Sequence, residues 1–223
     1  MVIKNNQQLN LIFLGAPGAG KGTIAKELVK NNQYFQLSTG DMFREQIKAK
    51  TPLGLKVIDI TSRGQYVSDD ITNELVQNKL QTLTKDNQKY ILDGYPRTIA
   101  QVEFLETLEF TKIDYVVLLE IEDQVIIDRI SKRRVCPNCS ATYHLESKPS
   151  KDGIHCDFDQ TELIQRKDDQ SDVVLDRLKV YNEQTKPLID FYEQKGNLLR
   201  VNANQNINKV YNDVINALEC VKN

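Results

Sequence analysis

Gly15-Ala-Pro-Gly-Ala-Gly20-Lys21-Gly-Thr23 fits the pattern G-x-x-x-x-G-K, directly after the apolar run Leu9 to Leu14 and directly before the helical pattern Lys21 to Asn31. In that context the glycines let the chain turn tightly and aim successive N–H groups inward. The helix N-terminus adds partial positive charge, and Lys21 reaches the outer phosphates of a nucleoside triphosphate. The generic pattern continues with Ser or Thr as a magnesium ligand, but Gly22 stands there and Thr23 comes one later. That departure argues against an ordinary GTPase or motor ATPase. It predicts that Mg2+ is held mainly by phosphate oxygens and water, with carboxylates further out.

Asp93-Gly-Tyr-Pro-Arg-Thr98 follows the strand pattern Lys89 to Leu92, so Asp93 falls at the carboxyl end of a strand, where parallel sheets bind ligands and where it can meet metal-bound water. The plainer alternative is an Asp-Gly turn before a helix that Thr98 starts. Arg44, Arg97, Arg129, Arg133, Arg166 and Arg177 all fall in or beside expected loops. Bidentate guanidinium groups suit phosphoryl transfer, where catalysis is chiefly positioning and neutralisation of spreading negative charge.

Cys136-Pro-Asn-Cys139 and Cys156-Asp-Phe-Asp159, with residues 140–155 between them, give C-x-x-C followed by C-x-x-D. Each half reads as a metal knuckle. Three thiolates and a carboxylate complete a tetrahedral Zn2+ site that would be structural, since every vertex comes from protein. Asp159 fits the spacing of the fourth ligand, with Asp157 and His155 as nearby competitors. His144 reads as packing or hydrogen bonding, and Cys220 as a half-buried helix residue without a role.

The elements that must position these groups alternate. Strand patterns at Leu9 to Leu14, Tyr34 to Leu37, Lys89 to Leu92, Tyr115 to Glu120 and Asn197 to Val201 are separated by helical ones. This predicts an α/β fold with a parallel five-stranded sheet flanked by helices. Gly40 to Arg63 is helical with no intervening strand, and Val135 to Asp168 is too poor in apolar residues to build much core, which reads as a flap held by its cysteines. Helices at Asp169 to Glu193 and Asn206 to Val221 are expected to cover the sheet.

With 223 residues, 40% apolar and 27% charged, the chain suits one compact domain with small excursions. The net charge of −2 gives no general attraction for nucleic acid or membrane surfaces, and the acidic balance around the knuckles argues against a nucleic-acid-binding zinc protein. The first ten residues lack a signal-peptide apolar run and no segment approaches a membrane span, so a cytoplasmic location is expected. Clustered cysteines likewise fit a metal in a reducing compartment.

Taken together, Gly15 to Thr23, Ser38-Thr-Gly-Asp-Met-Phe-Arg44, Asp93 to Thr98 and Gln165-Arg-Lys-Asp-Asp169 resemble the adenylate kinase family in its long-lid bacterial form, over nearly the whole chain. The resemblance implies a P-loop nucleoside monophosphate kinase that transfers the γ-phosphoryl group of Mg-ATP to AMP, giving two ADP, and acts as a monomer. It implies a core of residues 1–37, 68–131 and 170–223, a monophosphate-binding insertion at 38–67 and a zinc-type lid at 132–169. Lys21, Arg97, Arg133, Arg166 and Arg177 would be catalytic. Gly18, Ala19, Gly20, Lys21, Gly22, Thr23, Arg129, Arg133, Thr142, Tyr143 and Gln205 would hold ATP, with Asn204 an alternative to Gln205 at the adenine. AMP would be held by Thr39, Arg44, Gln65, Tyr66, Val67, Gly94, Tyr95, Pro96, Arg97, Gln101, Arg166 and Arg177, with Gln101 reading the adenine edge. Adenine selectivity would rest mainly on Thr39, where related uridylate/cytidylate kinases carry a smaller residue. The zinc-type lids of the family use four cysteines, or three and an aspartate. Departures from the family pattern are Tyr95 where Phe is familiar, Gln65 where Lys is usual, and Val201-Asn-Ala203 where Val-Asp-Gly is common.

Overall fold

The computed structural model describes residues 9–221; the expectation about a leader at the first residues lies outside them, apart from its last two positions. Five strands, β1 (Leu11–Leu14), β2 (Phe35–Ser38), β3 (Tyr90–Asp93), β4 (Tyr115–Glu120) and β7 (Leu198–Asn202), form a parallel sheet in the order β2-β3-β1-β4-β7. The five strand expectations agree with these to within two residues at each end. Register follows the apolar runs: Ile12 lies beside Leu92 and Val116, and Phe13 beside Asp93 and Val117.

Alternation along β1 sends Leu11 and Phe13 to one face and Ile12 and Leu14 to the other, and both faces are covered. On the first lie α1 (Lys21–Asn32), through Ile24, Ala25 and Leu28, and α9 (Ile207–Cys220), through Val210, Val214, Ile215 and Leu218. On the second lie α4 (Asp69–Lys85), α5 (Ile99–Glu106) and α8 (Pro187–Gln194), through Val76, Leu80, Val102, Leu105, Leu188 and Tyr192. The connection leaving β1 therefore turns to one face and that leaving neighbouring β3 to the other. The carboxyl ends of these strands open into the crevice where sheets of this kind take ligands.

Two excursions rise above that edge. The first holds α2 (Thr39–Lys48) and α3 (Pro52–Ser62), with a small core of Phe43, Val57 and Val67. Its tight corner is capped by the Thr51 hydroxyl, which accepts from the Gly54 N–H at 3.0 Å, and Pro52 occupies the first turn of α3. The second follows α6 (Asp123–Ser131) and contains the antiparallel pair β5 (Arg133–Val135) and β6 (Thr142–His144) around Cys136, Tyr143 and Cys156.

The expected single helix from Asp169 to Glu193 is not found. A 3₁₀ turn at Lys167–Asp169 leads into α7 (Ser171–Val180), a π turn follows at Tyr181–Thr185, and α8 completes the segment. Pro187 has no N–H to give to the preceding turn, and the Lys186 N–H bonds five residues back, to the Tyr181 carbonyl at 2.9 Å. Among the described residues no helix is long and apolar enough to cross a membrane.

Candidate active site

The loop between β1 and α1 wraps around a cleft of about 790 Å³ at the β1/β3 crevice. Gly20 caps α1 at φ 98°, and Gly18, at φ 84°, would place a Cβ 2.8 Å from Ile130; both positions need glycine. Of the first N–H groups of α1, those of Thr23 and Ile24 return to the Gly20 carbonyl at 3.0 Å, and Lys21 and Gly22 line the cleft. The Lys21 ammonium folds back to donate to the Gly15 carbonyl at 2.6 Å and the Ala16 carbonyl at 2.9 Å. Burial lowers its pKa from 10.5 to about 8; Asp93 opposes that shift, while Arg97, Arg177 and Arg133 add to it.

Asp93 stands at the end of β3, where its carboxylate accepts from Gln36 Nε2 at 2.8 Å. A Cβ at position 22 would come within 3.2 Å of Asp93 Oδ2, so Gly22 leaves room between the loop and this carboxylate. A Ser or Thr there would meet it. The neighbouring turn is held by Thr39, whose hydroxyl donates to the Gly94 carbonyl at 2.7 Å, and by Arg97 Nε, which donates to the same carbonyl at 2.7 Å. The Arg97 guanidinium stacks over the Tyr66 ring at 4.6 Å. The Tyr66 hydroxyl lies 2.9 Å from Thr185 Oγ1, which donates to the Arg97 carbonyl. Thr98 also caps α5, accepting from the Gln101 N–H, so the simple turn reading of this segment holds together with its place at the cleft.

The cleft is strongly cationic. Arg44, Arg97, Arg129, Arg133, Arg166 and Arg177 all line it. Asp169 takes a two-pronged ion pair from Arg133 and lies 3.2 Å from Arg177 Nη1, which reaches Asp168 Oδ2 at 2.9 Å. These two carboxylates orient the arginines, and they are the residues that sequence reading missed. They lay inside a quoted segment, Gln165 to Asp169, but nothing in it told whether the acids or the base faced inward. By contrast, the buried Nε atoms of Arg44 and Arg166 find no partner among the described residues. Burial, with Arg44 and Arg133 beside it, lowers the Arg166 pKa to about 10. An anion seated between these groups would relieve both the repulsion and the unmet hydrogen bonds.

At the far end, Arg129 Nη2 donates to the Ala203 carbonyl at 2.9 Å, and the Gln205 amide donates to the Asn202 carbonyl and to Asp213. Thr142 reaches the cleft, while the Tyr143 side chain is buried in the lid with its hydroxyl against Cys156 Sγ and the Asp157 N–H. Gln65, Val67, Tyr95 and Gln101 do not line this cleft. Val67 belongs to the core of the first excursion, and Tyr95 is buried with its hydroxyl 2.7 Å from Asn73 Oδ1.

In the lid, the Sγ atoms of Cys136, Cys139 and Cys156 and a carboxylate oxygen of Asp159 all lie within 4.8 Å of one another. A tetrahedron of ligands about 2.3 Å from zinc has edges of about 3.8 Å, so the donor set fits such an ion. The competitors are turned away: Asp157 Oδ1 accepts from the Lys151 N–H, and the His155 ring pairs with Asp152. His144 Nδ1 accepts from the Glu146 and Ser147 N–H groups, consistent with a hydrogen-bonding role. The turn through these ligands touches both other bodies. Lys26 of α1 donates to the Ser140 carbonyl at 2.9 Å and Lys48 of α2 to the Asn138 carbonyl at 3.1 Å, which roofs the cleft.

Comparison with known proteins agrees with this geometry. A family model described as adenylate kinase matches residues 13–197. The chain is 47% identical to the adenylate kinase of Mycoplasma mobile over 209 residues, covering 92% of this chain and 96% of that one. It is 45% identical to that of a Geobacillus species, covering 92% and 96%. With the adenylate kinase of Bacillus subtilis the identity is 43%, covering 96% of this chain and all of that one.

Proposed function

The chain belongs to the adenylate kinase family, nucleoside monophosphate kinases that run ATP + AMP ⇌ 2 ADP, and on that premise we propose how its residues divide the work. The observation that carries the proposal is the convergence of Lys21 and six arginines on one crevice, two of them with buried donors unmet. Such a site asks for more negative charge than one phosphate supplies, and two nucleotides meeting end to end bring it.

The loop from Gly18 to Thr23 cradles the ATP phosphates, with Lys21 swinging from the Gly15 and Ala16 carbonyls onto the outer ones. Arg129 and the main chain at Gln205 flank the ATP adenine, and Thr142 and Tyr143 approach it from the lid, Tyr143 by its backbone. Arg44, Arg97 and Arg166 hold the AMP phosphate. Thr39, Gln65, Tyr66, Val67, Gly94, Tyr95 and Pro96 frame the nucleoside, and Gln101 reads its base. An AMP phosphate oxygen attacks the γ-phosphorus in line, the bond to the β-phosphate oxygen breaks, and the electron pair leaves with ADP. The attacking phosphate is already ionised, so no general base is needed. Arg133, Arg166 and Arg177 neutralise charge as it spreads over the transferred group. Mg2+ on the ATP phosphates supplies further neutralisation when bound, with Asp93 placed to accept from its water shell.

In this reading residues 1–37, 68–131 and 170–223 form the core, 38–67 the acceptor-binding insertion and 132–169 the lid. Cys136, Cys139, Cys156 and Asp159 hold a structural Zn2+ that fixes the lid. The protein works as a cytoplasmic monomer without nucleic acid or membrane partners. A coupled assay of ADP formation from ATP with AMP, GMP, CMP or UMP tests the proposal. AMP is the expected preferred acceptor, and Lys21→Met is expected to lower turnover by about 10²-fold or more while the protein still folds and melts cooperatively. Preference for another acceptor, or near-normal turnover without Lys21, would refute it.

A further inference from the structure

Gln101 is 1% exposed, and both ends of its amide are engaged. Oε1 accepts from the Arg97 N–H at 2.7 Å, and Nε2 donates to Asp69 Oδ1 at 2.7 Å. These partners leave no freedom of assignment, because a backbone N–H only donates and a carboxylate only accepts. Asp69 is itself fixed: its Oδ2 accepts from the Thr98 hydroxyl at 3.1 Å, and that hydroxyl accepts from the Gln101 N–H at 3.1 Å. The Tyr95 hydroxyl lies 3.2 Å from the main-chain carbonyl of Gln101, which holds the backbone that carries this amide. A flipped amide would set oxygen against carboxylate and N–H against N–H, two repulsive contacts where there are now two bonds.

We infer that Asp69 is a positioning residue that selects the acceptor base by locking the Gln101 amide in one of its two orientations. The inference rests on the reading above that Gln101 reads that base. With one N–H and one lone pair already spoken for, the amide keeps one donor and one acceptor, in fixed order. Adenine offers a ring-nitrogen acceptor beside the amine donor at C6, which matches that order. A 6-oxopurine carries the reverse order, an acceptor at C6 beside a ring N–H donor. Only the flipped amide would suit it, and Asp69 forbids the flip. Without Asp69 a single contact, the Arg97 N–H, opposes the flip, and GMP or IMP becomes a better acceptor.

The test measures kcat/KM for AMP, GMP and IMP at saturating Mg-ATP in the intact protein and in Asp69→Ala, Asp69→Asn and Gln101→Ala. In Asp69→Ala the preference for AMP over the 6-oxopurines is expected to fall by about tenfold or more, mainly through acceptor KM, with KM for ATP unchanged. Asp69→Asn keeps the size of the side chain, but its own amide can turn to meet either orientation of Gln101, so it is expected to lose the preference as Asp69→Ala does, which a merely space-filling role for Asp69 would not do. Should Asp69→Ala fail to fold, Asp69→Ser, polar but too short to reach the amide, is read in the same way. If Asp69→Ala keeps the preference while Gln101→Ala loses it, the lock is wrong and base reading by Gln101 stands. If Gln101→Ala also keeps it, base reading by Gln101 is wrong and the lock falls with it.

Discussion

Lys21 is held where burial and charge oppose each other, and its titration carries a prediction. Its folded pKa of about 8 lies below the ordinary 10.5, so between these values the unfolded chain binds more protons than the folded one. The cost of the buried ammonium to the unliganded fold is full below about pH 8 and disappears as the pH rises through that window. Seating a triphosphate beside Lys21 reverses the balance, because the new negative charge favours the ammonium and raises the pKa. ATP binding at pH 8.5 is therefore expected to take up a fraction of a proton, seen as a calorimetric enthalpy that changes with the ionisation enthalpy of the buffer. Lys21→Met should remove most of that dependence; a dependence that survives the substitution would place the titrating group elsewhere. Asp168 and Asp169 matter for a related reason: their carboxylates hold Arg133 and Arg177 in orientation through ion pairs.

At the scale of elements, the close crossing of α2 and α3 depends on Gly54, where a Cβ would fall 2.1 Å from the Gln46 carbonyl oxygen. Gly54→Ala must push the two helices apart. It is expected to cost about 1–3 kcal/mol and to raise KM for AMP well above any change in KM for ATP, since in the proposed division of work the insertion holds the acceptor through residues such as Thr39, Arg44 and Val67. Equal changes in both constants would mean that the insertion does not serve the acceptor alone. The strands were legible in the sequence because parallel strands buried on both faces are plain apolar runs, and the phosphate loop because its glycines and lysine have few other uses in strand–loop–helix context. The break in the segment after Asp169 was not legible. The helical pattern of α7 runs on into α8, and only Pro187 marks the π turn that presents Thr185 to Tyr66 and Arg97. The fourth vertex of the thiolate cluster also needed structure, since Asp157 is turned to the Lys151 N–H and the His155 ring to Asp152, whereas Asp159 faces the three sulfurs.

Across the whole molecule, a chain of net charge −2 concentrates its arginines in one cleft and roofs that cleft with a lid whose knuckle touches α1 through Lys26 and α2 through Lys48. In the proposed mechanism a lid held this way would exclude water from the transferring phosphoryl group and open to release product. Chelation or Cys139→Ser is expected to lower the melting temperature by several degrees before activity at low temperature is lost, with zinc found by elemental analysis in the untreated protein. An unchanged melting curve and no bound metal would remove zinc from the account. The central claim is that one γ-phosphoryl group passes to AMP. Its most direct test supplies ATP labelled at the γ-phosphorus with equimolar AMP, GMP, CMP and UMP and follows the label through the first turnovers. The account predicts label in ADP well ahead of the other diphosphates and of inorganic phosphate. Label appearing first in UDP, CDP or GDP, or released chiefly as inorganic phosphate, would contradict it.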